Sequence, residues 1–221
     1  MPAKTRSSGG DGGLSTQRVV AEAIRLADAE GVEGLSMRRL AGVLGAGAMS
    51  LYHYVANKEQ LLDGMIDVVF SEIELDAGDP DWRSAMRGRA MSAREVLLRH
   101  PWAIPLMESR TAPGPSNLRH REAVTACLRR GGFSVSMATH ANWLLDSYVY
   151  GFALQEVALL APGGEELSQV TEQVFLPQLP AEQFPYLNES AAALVSGEYD
   201  PAGEFEFGLE LVLAALDPLR D

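Results

Sequence analysis

The sequence predicts an all-α protein, organised as a small N-terminal head followed by a larger helical body. Apolar residues recur at three- and four-residue intervals along most of the 221 residues, which is the spacing of one helix face. Strand patterns are almost absent, and capping residues, glycines and prolines separate the helical segments. Because 47% of the residues are hydrophobic, the chain can bury a substantial core. We find no internal repeat.

The head is predicted to contain three short helices. The first begins at an N-cap, for which Ser15 and Thr16 are both candidates, and ends at Gly31. The second follows an N-cap at Ser36 and breaks at the glycines of residues 45–47. The third, within the sequence AMSLYHYV, is expected to end near Val55.

The body is predicted to be built from longer helices. A helix from Asn57 to about Asp76 joins it to the head. The expected buried face of this helix comprises Leu61, Leu62, Met65, Ile66, Val69, Phe70 and Ile73. Further helices are predicted at residues 80–100, 102–109, 118–130, 134–161 and 201–217. Residues 162–200 contain several prolines and are predicted to be irregular, with short helices.

The formal charge of −12 is unevenly distributed. We divide the chain into a disordered arm at residues 1–14, a head at residues 15–60 and a body at residues 61–221. The first 60 residues hold seven Lys or Arg and six Asp or Glu, a net charge of +1, which leaves −13 for the rest. Since an acidic surface repels polyanions, any binding of nucleic acid must be confined to the head.

The composition favours a cytoplasmic protein. A lone cysteine, Cys127, excludes an intrachain disulfide. The first residues lack the apolar segment of a secretory signal. The most apolar stretch, residues 140–161, carries polar side chains throughout, so it is predicted to be a buried helix rather than a membrane span.

The segment GAMSLYHYVANKEQLL, residues 47–62, indicates contact with nucleic acid. Three short helices with a glycine-containing break before the third form the helix-turn-helix plan. Leu51 and Val55 can hold the third helix on its own domain, which leaves small, polar and tyrosine side chains to face bases and phosphates. Lys58 lies at the next helix start, where its ammonium and free N–H groups can bind a phosphate. The alternative is a small helical subdomain whose aromatic side chains are half-buried packing.

Several segments resemble a known family. The stretch LADAEGVEGLSMRRLAGVLGAGAMSLYHYVANKEQLLDGM is similar to the DNA-binding head of the TetR family of bacterial repressors. The body segments DWRSAMRGRAMSAREVLLRHPW, LRRGGFS and DSYVYGFALQE resemble the branch that contains the tetracycline repressor. The resemblance covers most of residues 15–160. It implies a ligand-responsive transcriptional regulator of repressor type, which binds a palindromic operator as a homodimer and is released by a small, mostly apolar effector.

The resemblance also implies which side chains contact DNA. The expected positions are Arg38, Ala48, Met49, Ser50, Tyr52, His53, Tyr54 and Lys58. Ala48 stands where the tetracycline repressor has a base-reading glutamine, and a methyl group cannot form that pair of hydrogen bonds. We therefore expect a different operator, read by Arg38, by van der Waals contacts and by DNA shape.

An effector site is predicted in the body from large apolar side chains interleaved with polar ones. Its expected lining residues are Trp102, Leu106, Met107, Arg110, Asn142, Trp143, Asp146, Tyr148, Phe152, Gln155 and Phe175. For each single aromatic residue, ordinary core packing is the alternative. A helical DNA-binding protein without a ligand is therefore a second reading, which a tightly packed body would favour.

The last helix is apolar nearly all round, which favours burial on two sides. The resemblance implies that this helix and the helix at residues 134–161 meet a partner subunit. The expected interface stripe comprises Phe205, Leu209, Val212, Leu213 and Leu216. The alternative is a central core helix within one subunit.

No metal, cofactor or catalysis is expected. The four histidines show no metal-binding spacing, and Pro105 stands near the position where a metal–tetracycline site would need a histidine. An enzyme is the third and least favoured reading, because the motifs G-x-S-x-G, G-x-G-x-x-G and the P-loop are missing.

Overall fold

The computed structural model describes residues 14–110, 112–159, 167–196 and 200–220, so the predicted arm lies outside them apart from Leu14. These ranges contain helices and no β-strand, which confirms the all-α prediction. The chain divides into two compact units, one ending at Met65 and the other beginning at Ile66. The division falls within one continuous helix, Lys58–Glu72.

The first unit begins with three helices whose local signals are those of the sequence. They are α1 (Thr16–Glu30), α2 (Met37–Val43) and α3 (Ala48–Leu51). The hydroxyls of Ser15 and Ser36 accept backbone N–H groups of the first turns of α1 and α2. This confirms the predicted cap at Ser36 and shows that Ser15, rather than Thr16, caps α1. Gly31 and Gly45 adopt φ angles of 81° and 63°, which end α1 and turn the chain after α2.

Helix α3 is shorter than predicted. It ends at Leu51, and the N–H groups of His53 and Tyr54 bond carbonyls only three residues back, in a turn that leads to Val55. The hydroxyl of Thr16 in α1 donates to the carbonyl of Tyr54 at 3.2 Å. This bond, and the low helix propensity of successive aromatic residues, favour the turn over a longer helix.

The next helix, α4 (Lys58–Glu72), begins where predicted. Asn57 Oδ1 accepts the N–H of Gln60 at 2.8 Å, and the Gln60 side chain accepts the N–H of Ala56 at 2.5 Å in return. The helix ends at Glu72 rather than near Asp76. Six residues of its predicted buried face are confirmed as buried within the helix: Leu61, Leu62, Met65, Ile66, Val69 and Phe70. The seventh, Ile73, is also buried but follows the end of the helix.

The body consists mainly of the helices α5 (Trp82–Arg99), α6 (Pro115–Arg130), α7 (Val135–Leu159), α8 (Leu167–Val170), α9 (Pro185–Val195) and α10 (Pro201–Leu216). A 3-10 helix, Pro101–Leu106, follows α5, and short π and 3-10 turns occupy residues 171–178. Asp81 caps α5, so Pro80 precedes the helix instead of lying inside it. Within the part of the chain that the structure describes, no helix combines the length and apolar character needed to cross a membrane.

Helix α7 is the centre of the body and packs against α5, α6 and α10. The guanidinium of Arg94 on α5 donates two hydrogen bonds to the carboxylate of Glu156 on α7, at 2.8 and 2.5 Å, and both side chains are 10% exposed. Because each partner satisfies the other's charge, the pair sets the position of α5 along α7.

The predicted dimer stripe of α10 faces the interior of its own subunit, so that prediction is corrected. Four of its residues are buried: Phe205, Leu209, Leu213 and Leu216. The fifth, Val212, is half-buried. Helix α10 packs on α5 and α7, and apolar periodicity cannot distinguish a face inside one subunit from a face between two. The opposite side of α10 exposes Phe207 (65%) and Leu211 (58%).

Candidate functional sites

The helix-turn-helix of the head exposes the residues predicted to contact DNA. Leu40, Ala41 and Leu51 are at most 2% exposed, and α2 packs against α3. None of the eight predicted contact residues is buried: Arg38, Met49, Ser50, Tyr52 and His53 are exposed, and Ala48, Tyr54 and Lys58 are half-buried. Their side chains are therefore accessible to a partner of the head.

Two adjacent arginines in the first turn of α2 have different surroundings. Arg39 forms an ion pair with Glu30 at the end of α1. The side chains of Arg38 and Lys58 form no hydrogen bond or ion pair with any residue in the described ranges. Their charges are available to an anion, and the hydroxyl of Tyr52 can donate to the same kind of group. Such a surface fits a nucleic-acid backbone.

A cluster of buried polar side chains joins α5, α6 and α7 of the body. Arg89 is 2% exposed; its Nε donates to Nε2 of His120 at 3.0 Å, and its Nη2 donates to Oδ1 of Asp146 at 2.5 Å. The third nitrogen, Nη1, is buried and has no acceptor among the described residues. Burial, reinforced by the charges of Arg89 and Arg121, lowers the pKa of His120 to about 3, so its neutral ring can accept the Arg89 hydrogen bond.

A cavity of about 300 Å³ in the body is lined by Glu108, Trp143, Asp146, Ser147 and Tyr150. Asp146 belongs to both the cluster and the cavity wall. Trp143 is 64% exposed, so the cavity opens to solvent. Burial raises the pKa of Tyr150, and the charges of Asp146 and Glu108 act in the same direction, so the phenol keeps its proton.

Two of the predicted effector residues, Trp143 and Asp146, line this cavity together. Trp102 and Met107 are core residues in this structure, 6% and 1% exposed. Four others lie outside the cavity wall and are half-buried or exposed: Leu106, Arg110, Asn142 and Gln155.

The remaining three predicted effector residues lie in other places. Tyr148 and Phe152 pack against Phe205, with ring centroids 5.4 and 5.2 Å away, and so join α7 to α10. Phe175 lines a separate apolar groove of about 230 Å³, which also includes Leu187. The predicted set is divided in this way because helical spacing assigns residues to a face but does not tell which faces converge.

Tyr150 lines the cavity, and Arg89 and His120 are connected to its wall through Asp146, but the sequence analysis assigns none of the three to the effector site. A usable signal exists for Arg89, which falls on the buried face of α5 together with Ala90 and Ala93. A charged side chain on an apolar face must be paired or must serve a ligand, because burial of an isolated charge is costly. His120 and Tyr150 carry no comparable signal, since both residue types are often buried.

A larger cavity of about 520 Å³ lies between the end of α4 and α5. Its wall is polar and includes Glu72, Glu74, Glu95 and Arg99, of which Arg99 already pairs with Glu72 at 2.8 Å. Excess carboxylate makes this a poor site for an apolar molecule. Across the described ranges, no group of three or more His, Cys, Asp or Glu side chains is arranged to hold a metal ion.

A helix-turn-helix head with exposed cationic and hydroxyl groups, followed by a helical body with a cavity, defines a DNA-binding regulator. Residues 19–65 match the profile described as bacterial regulatory proteins, tetR family, and residues 76–219 match the tetracyclin repressor-like C-terminal domain. The chain therefore belongs to the TetR family, as its sequence motifs predict.

Similar proteins come from several bacteria. The chain is 36% identical over 216 residues to the HTH-type transcriptional repressor DrrR1 of Streptomyces coeruleorubidus, covering 93% of this chain and 78% of that protein. It is 30% identical over 211 residues to the class C tetracycline repressor protein of Escherichia coli, covering 94% and 92%. The structure of the Streptomyces coelicolor TetR family protein ActR in complex with actinorhodin aligns with a TM-score of 0.75 and 33% identity, covering 92% and 97%.

Membership in this family settles the class of activity. The chain is a ligand-responsive transcriptional repressor, and its partners are operator DNA, a second copy of itself and a small-molecule effector. Regulators of this family are transcription factors and not enzymes.

Proposed function

We propose that the chain represses transcription in the bacterial cytoplasm by binding an inverted-repeat operator through α2 and α3 of two subunits. The observation that carries the proposal is the contrast between Arg38, whose charge has no partner in the described head, and Arg39, which is paired with Glu30. Arg38 reads base edges or phosphate, and Met49, Ser50, Tyr52 and His53 contact the groove. Ala48 and Tyr54 lie at the edge of this contact surface. Lys58 contacts phosphate only, so its loss should weaken binding to all sequences alike.

The proposed dimer interface uses the outward faces of α7 and α10. Phe207 and Leu211 on α10 are about three-fifths exposed, and Leu154 on α7 is 54% exposed. These apolar side chains would be covered by the same surfaces of a partner, as a two-fold interface requires. Two heads related by a two-fold axis read an inverted repeat, with half-sites about one helical turn apart.

The proposed effector site is the cavity lined by Trp143, Asp146 and Tyr150. Its aromatic walls, with a few polar groups, have the character of a small-molecule site, and its volume is at the lower end of the usual range. A small, mostly apolar effector is the occupant that this wall favours. Trp102 and Met107 are buried outside this wall, so they would not touch the effector.

A chain of contacts connects this site with α4. His120, which holds Arg89 of the buried cluster, packs its ring 5.7 Å from the ring of Phe70 on α4. One turn earlier in α4, Asp67 accepts the N–H groups of Ser116 and Asn117 in the first turn of α6, at 2.8 and 2.9 Å. A shift of α6 caused by the effector is therefore passed to α4, the helix that continues into the head.

Release of the operator requires only a modest bias between two states. A coupling free energy of about 1–3 kcal/mol changes operator affinity roughly 5- to 150-fold. The effector supplies this bias if it binds the state with displaced α6 more tightly than the other state.

The test compares operator affinity with and without compounds that raise the thermal unfolding midpoint, measured by fluorescence anisotropy. An effector should lower the affinity of the wild type, whereas Asp67→Ala, which cuts the tie to α6, should lose most of the response and still bind operator. Ser71→Ala is the matched control on α4, because among the described residues its hydroxyl bonds only to the carbonyl of Val68 on its own helix. An unchanged response in Asp67→Ala would show that the contact between Asp67 and α6 does not transmit the effect of the effector. A compound that binds the protein without any effect on operator affinity is not an effector.

A further inference from the structure

The guanidinium of Arg121 on α6 contacts three other residues of the body. Its Nε donates a hydrogen bond to Oδ1 of Asn117 at 2.7 Å, and its Nη2 donates to Oε1 of Glu108 at 3.0 Å. The same group lies over the ring of Phe70 on α4, with Cζ 5.8 Å from the ring centroid. A planar guanidinium can hold several partners at once, because its N–H donors point in fixed directions.

These partners connect the wall of the proposed effector cavity with α4. Glu108 is one of the residues that line the cavity. Asn117 is 4% exposed in the first turn of α6, and its backbone N–H donates to Oδ1 of Asp67 on α4 at 2.9 Å. A chain of contacts therefore runs from Glu108 at the cavity through Arg121 and Asn117 to Asp67.

The last contact of this chain, between the start of α6 and α4, is close. Gly114, the N-cap of α6, has no side chain to accept the first N–H groups of the helix, and Asp67 accepts those of Ser116 and Asn117 instead. A Cβ atom at Gly114 would overlap the carboxylate of Asp67. Because there is no free space here, a shift of the first turn of α6 must displace Asp67 or break these hydrogen bonds.

The alternative role for Arg121 is that of an ordinary surface ion pair with Glu108. The two side chains are 38% and 57% exposed, and exposed ion pairs contribute little to stability. Such a pair would have no effect on events at α4. The bond from the same guanidinium to the buried Asn117, and its position over Phe70, favour a role that reaches α4.

We propose that Arg121 is a positioning residue for operator release. An occupant of the cavity that displaces the carboxylate of Glu108 moves Arg121 with it, and so shifts the first turn of α6 and the ring of Phe70. This inference rests on the proposed effector site and specifies the residue that carries its effect to α4. The route is separate from the one through Arg89 and His120.

A covalent occupant of the cavity tests the proposal without a known effector. Ser147 lines the cavity and is exposed, so the thiol of a Ser147→Cys protein can displace the bromide of monobromobimane and hold the bimane group there. Cys127 is 2% exposed and should remain unlabelled. Fluorescence anisotropy measures affinity, before and after labelling, for the operator that wild-type protein selects from random DNA. The label should weaken binding at least about fivefold, the lower end of the usual range of coupling between two sites.

Variants locate the route. Arg121→Gln in the Ser147→Cys protein should reduce the effect of the label to less than about twofold, because the link to α4 is cut. Glu108→Gln should give the same result from the other end of the link, and its exposed position makes it suitable if Arg121→Gln does not fold. Arg119→Gln is the matched control, because it removes the same charge from α6 and its side chain bonds only to Ser116 among the described residues. The label should keep its full effect in this control.

A full effect of the label in Arg121→Gln or in Glu108→Gln would overturn the inference. An equal reduction in Arg119→Gln would also overturn it, because the net charge of α6 would then be the cause. Each variant is compared with its own unlabelled form, so a change in stability alone does not produce the expected result.

The same measurements separate the inference from the proposed function. A label without effect on a protein that retains Arg121 and Glu108 would contradict the effector site, and the inference with it. A label whose effect persists without Arg121 contradicts only the inference. Wild-type protein that binds no operator contradicts the regulatory role itself.

Discussion

The hydroxyl of Tyr148 on α7 donates a hydrogen bond to the backbone carbonyl of Phe205 on α10 at 2.8 Å, and the two rings stack with centroids 5.4 Å apart. This arrangement depends on Gly208, one turn later in α10. A Cβ atom at position 208 would overlap the Tyr148 hydroxyl and lie 2.9 Å from Cζ of its ring. The close approach of α7 and α10 therefore requires a glycine at this position.

Gly208→Ala should destabilise the protein by about 1–3 kcal/mol, because the Tyr148 ring must leave its hydrogen bond or the helices must separate. Gly88→Ala is the matched control, since an added Cβ in α5 meets nothing within 4 Å. The control should raise stability by roughly 0.5–1 kcal/mol through helix propensity. Thermal and denaturant unfolding measure both; a Gly208→Ala protein as stable as Gly88→Ala would show that α10 is free to move away from α7.

Arg38→Ala should weaken operator binding by on the order of 1–3 kcal/mol if the guanidinium contacts a base, and should reduce discrimination at one position of the site. Arg25→Ala removes the same charge from α1, where Arg25 pairs with Glu22 at 2.6 Å, and should change affinity little. A salt titration by fluorescence anisotropy compares the two. If both variants lose affinity equally, only the net charge of the head matters and the recognition-surface assignment is incorrect.

Leu211→Glu should dissociate the dimer, because it places a charge in the proposed apolar interface without a partner. Leu118→Glu is the control at a site of similar exposure on α6, 55% against 58% for Leu211, and should leave the dimer intact. Leu209→Glu should unfold the subunit instead, since Leu209 is fully buried within it. Sedimentation velocity distinguishes these outcomes, and a stable Leu211→Glu dimer would place the interface elsewhere.

The low pKa of His120 predicts a dependence of stability on pH. Its folded pKa of about 3 lies below the ordinary value of 6.5, so between these values the unfolded chain binds a proton that the folded chain does not. Stability is therefore fully present above about pH 6.5 and falls towards pH 3, by about 1.4 kcal/mol per pH unit from this group. His120→Gln should flatten the slope between pH 5 and 6.5, whereas His140→Gln, at an exposed position, should not. Equal slopes in the two variants would refute the buried, neutral state of His120.

Local signals predicted the boundaries of the head well. The caps at Ser15 and Ser36 and the turn at Gly45 depend on a few neighbouring residues, and the structure contains all of them. The turn after Leu51 is less predictable, because the carbonyl of Tyr54 in this turn accepts a hydrogen bond from Thr16 on another helix.

Contacts between helices that are distant in the chain cannot be predicted from this sequence. The sequence predicts an apolar stripe that includes Leu209, but which helices pack against this stripe, here α5 and α7, depends on how the helices assemble. In the same way, Trp143 and Asp146 converge on one cavity while Tyr148, only two residues later, turns towards α10. The partners of Arg89, His120 and Asp146, lie on two other helices and cannot be predicted from the pattern of α5.

The most direct test of the central claim compares one full operator with its separated half-site. Wild-type protein is used to select sequences from random DNA, and its affinity for the selected sequence is measured by fluorescence anisotropy. We expect the selected sequence to be an inverted repeat that binds one dimer. The dimer should bind it at least about a hundredfold more tightly than a single half-site, because both heads contribute contacts. Selection of a sequence without two-fold symmetry, or equal affinity for the full site and the half-site, would contradict a dimeric repressor that reads DNA through two helix-turn-helix heads.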